Sequence, residues 1–316
     1  MDVNELKMLQ ALPLEIKIAK SKLRIEEWIR YYGEDGVYIS FSGGKDSTVL
    51  RHLVHQVNPN IPSVFVDTGL EYPELKEFVN KQSNVITLRP KRSFKQVIEH
   101  YGYPMVSKEQ AHYIELVRRT KSQVIINKHY HGIDRHGNKT PYVISKKHRY
   151  LVNAPFPISH KCCDVMKKNP VKKYEKETGR VPFIGTMTGE SMVRMQKYLQ
   201  HGCNAFNTNR PTSTPLGFWN EEDILKYIKL YNLEIPSVYG EILEDENGKL
   251  TTSGCKRTGC VFCGFGVHLE KGINRYQLLE QTHPKLHDYC MNKLGFKEVC
   301  EFMNLKYTME QEKEQE

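Results

Sequence analysis

Apolar positions recur along this chain in two periods, and the two periods alternate. Residues 5–32 place Leu6, Leu9, Leu14, Ile18, Ile25 and Trp28 at helical spacing, with Pro13 between the two halves. Proline removes a helical hydrogen bond and clashes with the preceding turn, so this stretch predicts two helices rather than one. They are expected to pack beside the core and carry no chemistry. Residues 37–41 (VYISF) then form an unbroken β-branched and aromatic run, the pattern of a buried strand. Helical spacing returns over 48–57. Strand-like runs reappear at 63–67 (SVFVD), 84–88 (NVITL) and 181–185 (VPFIG), and helical patterns at 108–119 and 192–200. Strands that alternate with helices build a parallel sheet covered on both faces. The expected fold class is therefore α/β: a doubly wound, mostly parallel sheet with helices on both faces, followed by a C-terminal cysteine-containing segment. In segments, this is a helical part at 1–32, an α/β domain at 33–204 and a C-terminal part at 205–316.

Smaller signals fill in the outline. Residues 220–231 predict a helix with Asn220 as its N-cap and Glu221, Glu222 and Asp223 in its first turn, where carboxylates favour the helix dipole. Residues 244–249 (EDENGK) predict the tip of a hairpin. Residues 309–316 are polar and charged, and are expected to fray. The stretch 91–155 is less regular. Its histidines His129, His131, His136 and His148 have no spacing that fixes a metal geometry, and the expected reading is a solvated, anion-facing loop.

Composition narrows the class. A length of 316 residues allows one large or two medium domains, and 39% hydrophobic with 26% charged residues describes a soluble globular chain. No apolar run approaches the roughly 20 residues of a membrane helix. The N-terminus lacks the charge, apolar block and cleavage-site order of a signal peptide. A cytoplasmic protein without a membrane partner is expected. The net charge of +9 suits an anionic ligand or nucleic acid. The lysines and arginine of 161–180 are expected to form a solvated face, with nucleic-acid contact as the alternative. Nothing in the sequence fixes an oligomeric state.

The chemistry concentrates at SGGKDS, residues 42–47, between the first strand and its helix. Gly43 and Gly44 let the backbone turn sharply and approach a ligand closely. The amides of the turn and the helix N-terminus then favour an anion such as a phosphate. Lys45 adds a charge there, and Ser42 and Ser47 add hydroxyls. Ligands of such sheets bind at the carboxyl ends of the strands, where Asp67, Thr68 and Gly69 also fall, so both stretches are expected to line one pocket.

Eight cysteines in a chain expected to be cytosolic point to metal, catalysis or core rather than disulfides. Cys162 and Cys163 are adjacent. Cys260 and Cys263 form a C-x-x-C in a glycine-rich stretch, with Cys255 five residues before it. Four thiolates suit tetrahedral zinc or an iron–sulfur cluster, and adjacency argues against zinc. The bland alternative is a reduced vicinal pair beside an unrelated C-x-x-C. Cys203, Cys290 and Cys300 have no such company, and Cys290 and Cys300 sit at apolar helical positions.

SGGKDS resembles the PP-loop of the N-type ATP pyrophosphatases, which cut ATP between its α and β phosphates. From residue 37 to 265 the chain resembles the phosphoadenosine phosphosulfate (PAPS) reductase family, with its adenine nucleotide alpha-hydrolase-like fold. The resemblance rests on SFSGGKDST, VFVDTGLEYPE, GTMTGESMVR and RPTSTPLGFWNEEDILKYI. It implies nucleotide contacts from Ser42, Gly43, Gly44, Lys45, Asp46, Ser47, Asp67, Thr68, Gly69, Gly185, Glu190 and Ser191. It also implies catalytic roles for Lys45, Asp46 and Arg194, and ATP with Mg²⁺ as the ligand. The CC…CxxC order resembles the adenylyl-sulfate (APS) reductases and implies a [4Fe-4S] cluster on Cys162, Cys163, Cys260 and Cys263, with Cys255 as a substitute ligand. Two departures matter. The E-C-G-[LI]-H motif of true sulfonucleotide reductases is absent, the residues ending YTMEQEKEQE. The loop is intact where theirs is usually degenerate. Both favour ATP over PAPS. The expected activity is therefore pyrophosphate cleavage of ATP with adenylyl transfer in sulfur metabolism, served by a sulfur-donor or thiol-reductant partner protein. The alternatives are an APS or PAPS reductase that releases sulfite, an enzyme of nucleic-acid sulfur modification, and a non-catalytic nucleic-acid-binding regulator.

Overall fold

The computed structural model describes residues 1–313. The chain divides into two compact units. The first holds residues 1–67, 71–89 and 170–258; the second holds 68–70, 90–169 and 259–316. These units interleave, and cut across the contiguous segments 1–32, 33–204 and 205–316 expected from the sequence. The frayed end expected at 309–316 begins as a short helix, Glu310–Lys313, and residues 314–316 lie outside the described residues.

The first unit is built on a six-stranded sheet. Its strands are β1 (Val37–Ser40), β2 (Ser63–Val66), β3 (Val85–Leu88), β4 (Val181–Ile184), β5 (Asn204–Ala205) and β6 (Thr212–Ser213), in the order β3-β2-β1-β4-β6-β5. All neighbours pair in parallel except β5 with β6. The four long strands fall where their apolar runs predict them. The antiparallel edge, β5 and β6, has two residues per strand and shows no readable alternation. The sheet is the α/β, mostly parallel arrangement expected.

Side chains alternate across a strand, and β1 shows what that does. Val37 and Ile39 enter a core formed with the helices Leu14–Tyr32, Lys45–Val57 and Glu221–Tyr231, whose large members include Trp28 and Trp219. Tyr38 points to the other face and packs with Val64 and Tyr174, the latter from the helix Asn169–Thr178. Helices thus cover both faces. The predicted helix break at Pro13 is present, between Val3–Gln10 and Leu14–Tyr32. Asn220 caps the helix Glu221–Tyr231 in a reciprocal box with Asp223. The hairpin predicted around 244–249 joins strands Ile242–Glu244 and Leu250–Thr252. On the helix Asn169–Thr178 the exposed Lys173 pairs with Glu177, in keeping with a solvated face.

The second unit is mainly helical. Phe94–Tyr101, Lys108–Arg119, Arg275–Thr282 and Phe296–Phe302 are its regular helices, and a short parallel pair joins Met105–Val106 to Gly264–Phe265. Phe94 stacks on both Phe262 and Phe296. Gly264 passes so close to Met105 that a Cβ would collide with its Sδ and with the Pro104 carbonyl. The histidine-rich loop departs from expectation. His129 and His148 are buried, not solvated. His129 stacks on Tyr113 and its Nδ1 meets the Tyr142 carbonyl at 2.8 Å, so an aromatic wall and one backbone acceptor hold it inside.

The N-terminal helices do more than pack. Lys17, 1% exposed, reaches Asp223 at 2.6 Å and the Gln10 carbonyl at 2.7 Å. Removing one partner of a buried ion pair strands the other charge, at a cost of about 3–5 kcal/mol. Lys17→Ala is therefore expected to lower the unfolding free energy by about that amount, read as an earlier urea midpoint by circular dichroism. An unchanged midpoint would show that the pair contributes nothing.

Candidate functional site

The 42–47 loop leaves the carboxyl end of β1 and enters the helix Lys45–Val57 through Gly44, its N-cap. Gly43 has φ +77° and lies against Leu75 and Val79, where a Cβ would come within 2.6 Å of Val79 Cγ2. Both the backbone conformation and the space require glycine there. The serines hold the turn closed. Ser47 Oγ accepts from the Ser42 amide at 3.2 Å and donates to the Gly44 carbonyl at 2.9 Å, and the two hydroxyls lie 3.0 Å apart. The amides of Asp46 and Ser47 fall in the first turn, where backbone donors have no partner inside the helix.

Lys45 is nearly sealed, at 2% exposure. Its ammonium donates to the Lys256 carbonyl at 2.8 Å and pairs with Glu221 at 3.3 Å and Asp46 at 3.8 Å. Its amide donates to the Tyr239 hydroxyl at 3.2 Å, and that hydroxyl also meets Thr258 Oγ1 at 2.7 Å. Segment 256–258 and Tyr239 thus form a strap across the loop. Asp46 is the electrostatic opposite. Burial pushes its carboxyl above the usual carboxylate range, against the pull of Lys45, Arg257 and Arg194 and with a further push from Glu221. Its Oδ1 is buried with no hydrogen-bond partner. A buried carboxylate oxygen that accepts no hydrogen bond, with only the Lys45 ammonium 3.8 Å away, suits a Mg²⁺ ligand.

The structure brings several predicted residues to this end of the sheet. Gly185 follows β4 and lies over Asp46, where a Cβ would stand 3.1 Å from the Asp46 carbonyl. Arg194 is held by an ion pair to Glu190 and feels the charge of Asp46. Ser191 caps the helix Met192–His201 by accepting from the Arg194 amide, and Glu190 accepts from the Met187 amide. Those two residues therefore shape the turn that presents Arg194. Asp67, at the end of β2, is buried between Lys76 at 3.0 Å and Arg89 at 3.4 Å. Thr68 and Gly69 belong to the second unit, with the Leu70 amide donating to Thr68 Oγ1 at 3.2 Å. Sequence reasoning missed Tyr239, Thr258, Arg257 and Glu221. Only the basic KRT at 256–258 was a signal, and it stood inside a stretch read for its cysteines.

Cys162, Cys163, Cys260 and Cys263 all lie in the second unit. Burial pushes the Cys162 thiol up, and Cys163, Cys260 and Cys263 push it further. The Cys263 sulfur accepts from the Phe265 amide, which with Arg275 works against its burial. Cys260 and Cys263 close a turn, amide to carbonyl, at 3.1 Å. The donor set thus has the chemistry of a thiolate centre and one electrostatic neighbourhood. Yet among the described residues no three His, Cys, Asp or Glu side chains are arranged to hold a metal ion. Cys255 stands in the first unit, beside Tyr72 and Glu74. Cys290 and Cys300 are fully buried, and burial pushes Cys300 up to about 12. Cys203 lies 3.2 Å from the Tyr198 hydroxyl, and its thiol is also raised by burial. No helix among the described residues is long and apolar enough to cross a membrane.

Comparison with known proteins follows the same lines. A family model described as the phosphoadenosine phosphosulfate reductase domain matches residues 36–124 and 105–264. An uncharacterized protein of Methanocaldococcus jannaschii is 25% identical over 253 residues, which is 78% of this chain and 44% of that one. A phosphoadenosine 5'-phosphosulfate reductase of Klebsiella pneumoniae is 33% identical over 102 residues, 29% of this chain and 42% of its own. An adenosine 5'-phosphosulfate reductase of Bacillus cereus is 29% identical over 89 residues, 26% of this chain and 38% of its own. The matched stretch spans less than half the length of each of these relatives. Among solved structures, a phosphoadenylyl-sulfate reductase from Candida auris is similar over 79% of this chain and 98% of its own, with 10% identity and a TM-score of 0.41.

The burial of Asp46 sets a pH test. A carboxyl whose folded pKa lies above its unfolded value favours folding at low pH and opposes it as pH rises and the group ionises. Asp46→Asn is therefore expected to raise the thermal midpoint of the ligand-free protein at pH 7, with the gain vanishing below the ordinary carboxylate range. A variant less stable than wild type at pH 7 would show that the carboxylate is satisfied after all.

Proposed function

The chain belongs to the phosphoadenosine phosphosulfate reductase family, and we propose that it binds ATP at the 42–47 loop and transfers the adenylyl group with release of pyrophosphate, in sulfur metabolism. The observation that carries this reading is the intact loop: a buried ammonium, first-turn amides and an orphaned carboxylate oxygen meet at one strand end. A sulfonucleotide has no β–γ pyrophosphate to fill such a cradle.

In this reading the loop amides and Lys45 hold the β and γ phosphates, and Tyr239 and segment 256–258 move aside or rebond as they enter. Asp46 Oδ1 would hold Mg²⁺, which supplies charge neutralisation along the phosphates. Arg194 and Arg257 flank the α-phosphate side, where charge builds as the bond to the β-phosphate lengthens. Asp67 anchors the β2 end of the pocket through Lys76 and Arg89. Lys45, already desolvated, stabilises the leaving pyrophosphate more strongly than a hydrated lysine would. Cys162, Cys163, Cys260 and Cys263 would hold a [4Fe-4S] cluster, with zinc as the alternative occupant. Their shared neighbourhood supports this, and ligand closure would come with the metal. Such a cluster supplies a site for sulfur or electrons; a sulfur donor or thiol reductant is the partner it would call for.

The reductase alternative is suggested by the names of the relatives. It needs an exposed thiolate of low pKa outside the cluster ligands. Cys290 and Cys300 are fully buried, and burial raises the thiols of both and of Cys203.

Protein purified without oxygen is expected to release pyrophosphate from ATP, and Lys45→Ala to lower that rate by about 10²-fold or more. The same preparation is expected to carry about four irons and four sulfides per chain, as a [4Fe-4S] cluster requires, lost in Cys162→Ser. Sulfite release from a sulfonucleotide with a thiol, and none of pyrophosphate from ATP, would replace this reading with the reductase. A colourless protein with zinc would replace the cluster.

A further inference from the structure

The first unit contains a second concavity, which none of residues 42–47 lines although the stretches GTMTGESMVR and RPTSTPLG contribute to its walls. It is a cavity of about 480 Å³ between the end of β4, the helix Met192–His201 and the segment that carries β5 and β6. That volume falls within the range of small-molecule pockets. Its walls are of two kinds. Ile184, Met187, Tyr198 and Ala205 give an apolar floor, while Arg194, Lys197, His201 and Arg210 stand around it. No carboxylate among the described residues lines it.

The four basic residues are not equivalent. Arg210 is held in a two-point pair by Glu175, at 2.9 and 2.6 Å, and so is a fixed wall. Arg194 is paired to Glu190. Among the described residues Lys197 and His201 have no carboxylate partner within ion-pair distance. Both are exposed along the helix Met192–His201. A pocket with unanswered positive charge and an apolar floor selects an anion with an organic body over a bare ion, because the body gains the hydrophobic term and the charge gains the pairing.

The cavity also adjoins the loop. Arg194 is common to the two: it lines the cavity and feels Asp46. Thr186, another lining residue, directly follows Gly185, the residue that lies over the Asp46 carbonyl. We propose that this cavity is the acceptor subsite, which takes a small organic oxyanion with an apolar body and presents one of its oxygens to ATP beside Arg194. This rests on the adenylyl-transfer reading above. The step balances without an added oxidant, reductant or base. An anionic oxygen of the acceptor forms a bond to the α-phosphorus. The bond from that phosphorus to the bridging oxygen breaks, and pyrophosphate leaves with the electron pair. The product is a mixed anhydride of the acceptor with AMP. Lys197 and His201 bind and orient the acceptor and Arg194 bridges both ligands.

Phenyl phosphate is the probe, since it carries an oxyanion on an apolar ring. Its binding is measured by calorimetry on the full chain, with inorganic phosphate and p-toluidine as controls. Phenyl phosphate is expected to bind saturably, at least tenfold more tightly than inorganic phosphate, with p-toluidine not binding. Lys197→Glu, at an exposed position, is expected to weaken it at least tenfold. Thr208→Tyr, which fills the cavity, is expected to abolish it. Binding that survives both Lys197→Glu and Thr208→Tyr would put the anion elsewhere and overturn the proposal. So would an affinity no better than that of inorganic phosphate. The two readings fail separately. Pyrophosphate release without any effect of Lys197→Glu on phenyl phosphate binding overturns the subsite alone. Binding that follows Lys197 in a protein that does not cleave ATP leaves a subsite for organic anions and overturns adenylyl transfer.

Discussion

The buried ammonium of Lys45 constrains the first unit around it. Taking a lysine charge out of water is costly unless acceptors replace the water. Lys45 therefore needs the Lys256 carbonyl and the Glu221 carboxylate, and each need fixes a distant part of the chain. Glu221 opens a helix whose first turn also contains Asp223, and Asp223 takes the second buried lysine, Lys17. Two buried cations thus meet one helix N-terminus, an acidic turn capped by Asn220. Substitutions in that turn act on the 42–47 loop and on the N-terminal helices together. The charge pattern read at 220–223 as a capping signal is also the electrostatic junction of the unit.

Three of the long strands were legible because they are largely buried and read as continuous apolar runs; β3, at the sheet edge with Ile86 and Thr87 exposed, was legible from its β-branched residues. Gly43 was legible for a related reason, since a strand-to-helix turn leaves few residue types able to make it. What stayed hidden has its cause in distance along the chain. The Tyr239 hydroxyl accepts from the Lys45 amide 194 positions away, and nothing local to it marks that role. The edge strands of two residues are too short to show a period. His129 and His148 were misread as solvated because polarity was taken for exposure, while His131 and His136 are exposed as expected. His129 has a ring that can stack on Tyr113 and a nitrogen that needs only one backbone partner. The cavity beside the helix Met192–His201 was invisible for a different reason: Lys197 and His201 are ordinary helix-surface residues until the β5–β6 edge closes the space behind them.

The cysteines show the limit of motif reading from the other side. Their order along the chain suggested four ligands, and four thiols do share one unit and one electrostatic field. A shared field is weaker than a coordination shell. Thiols that raise one another's pKa resist becoming thiolates together, and a bound metal reverses that balance by replacing the protons. The protein around them already has features such a centre uses: an amide aimed at the Cys263 sulfur and, next to it, Gly264, where Met105 and the Pro104 carbonyl leave no room for a side chain.

The strap across the loop has a consequence for how the chain is made. Lys45 leaves the ribosome 211 residues before the carbonyl that seals its ammonium. At about 5–20 residues per second that interval lasts roughly 10–40 s. Throughout it the loop lacks its cover, and its lysine stays in water. The 42–47 loop is thus among the last parts of its unit to be closed, although it lies among the first to be synthesised. A ribosome halted before codon 256 would display a nascent unit whose loop is still open.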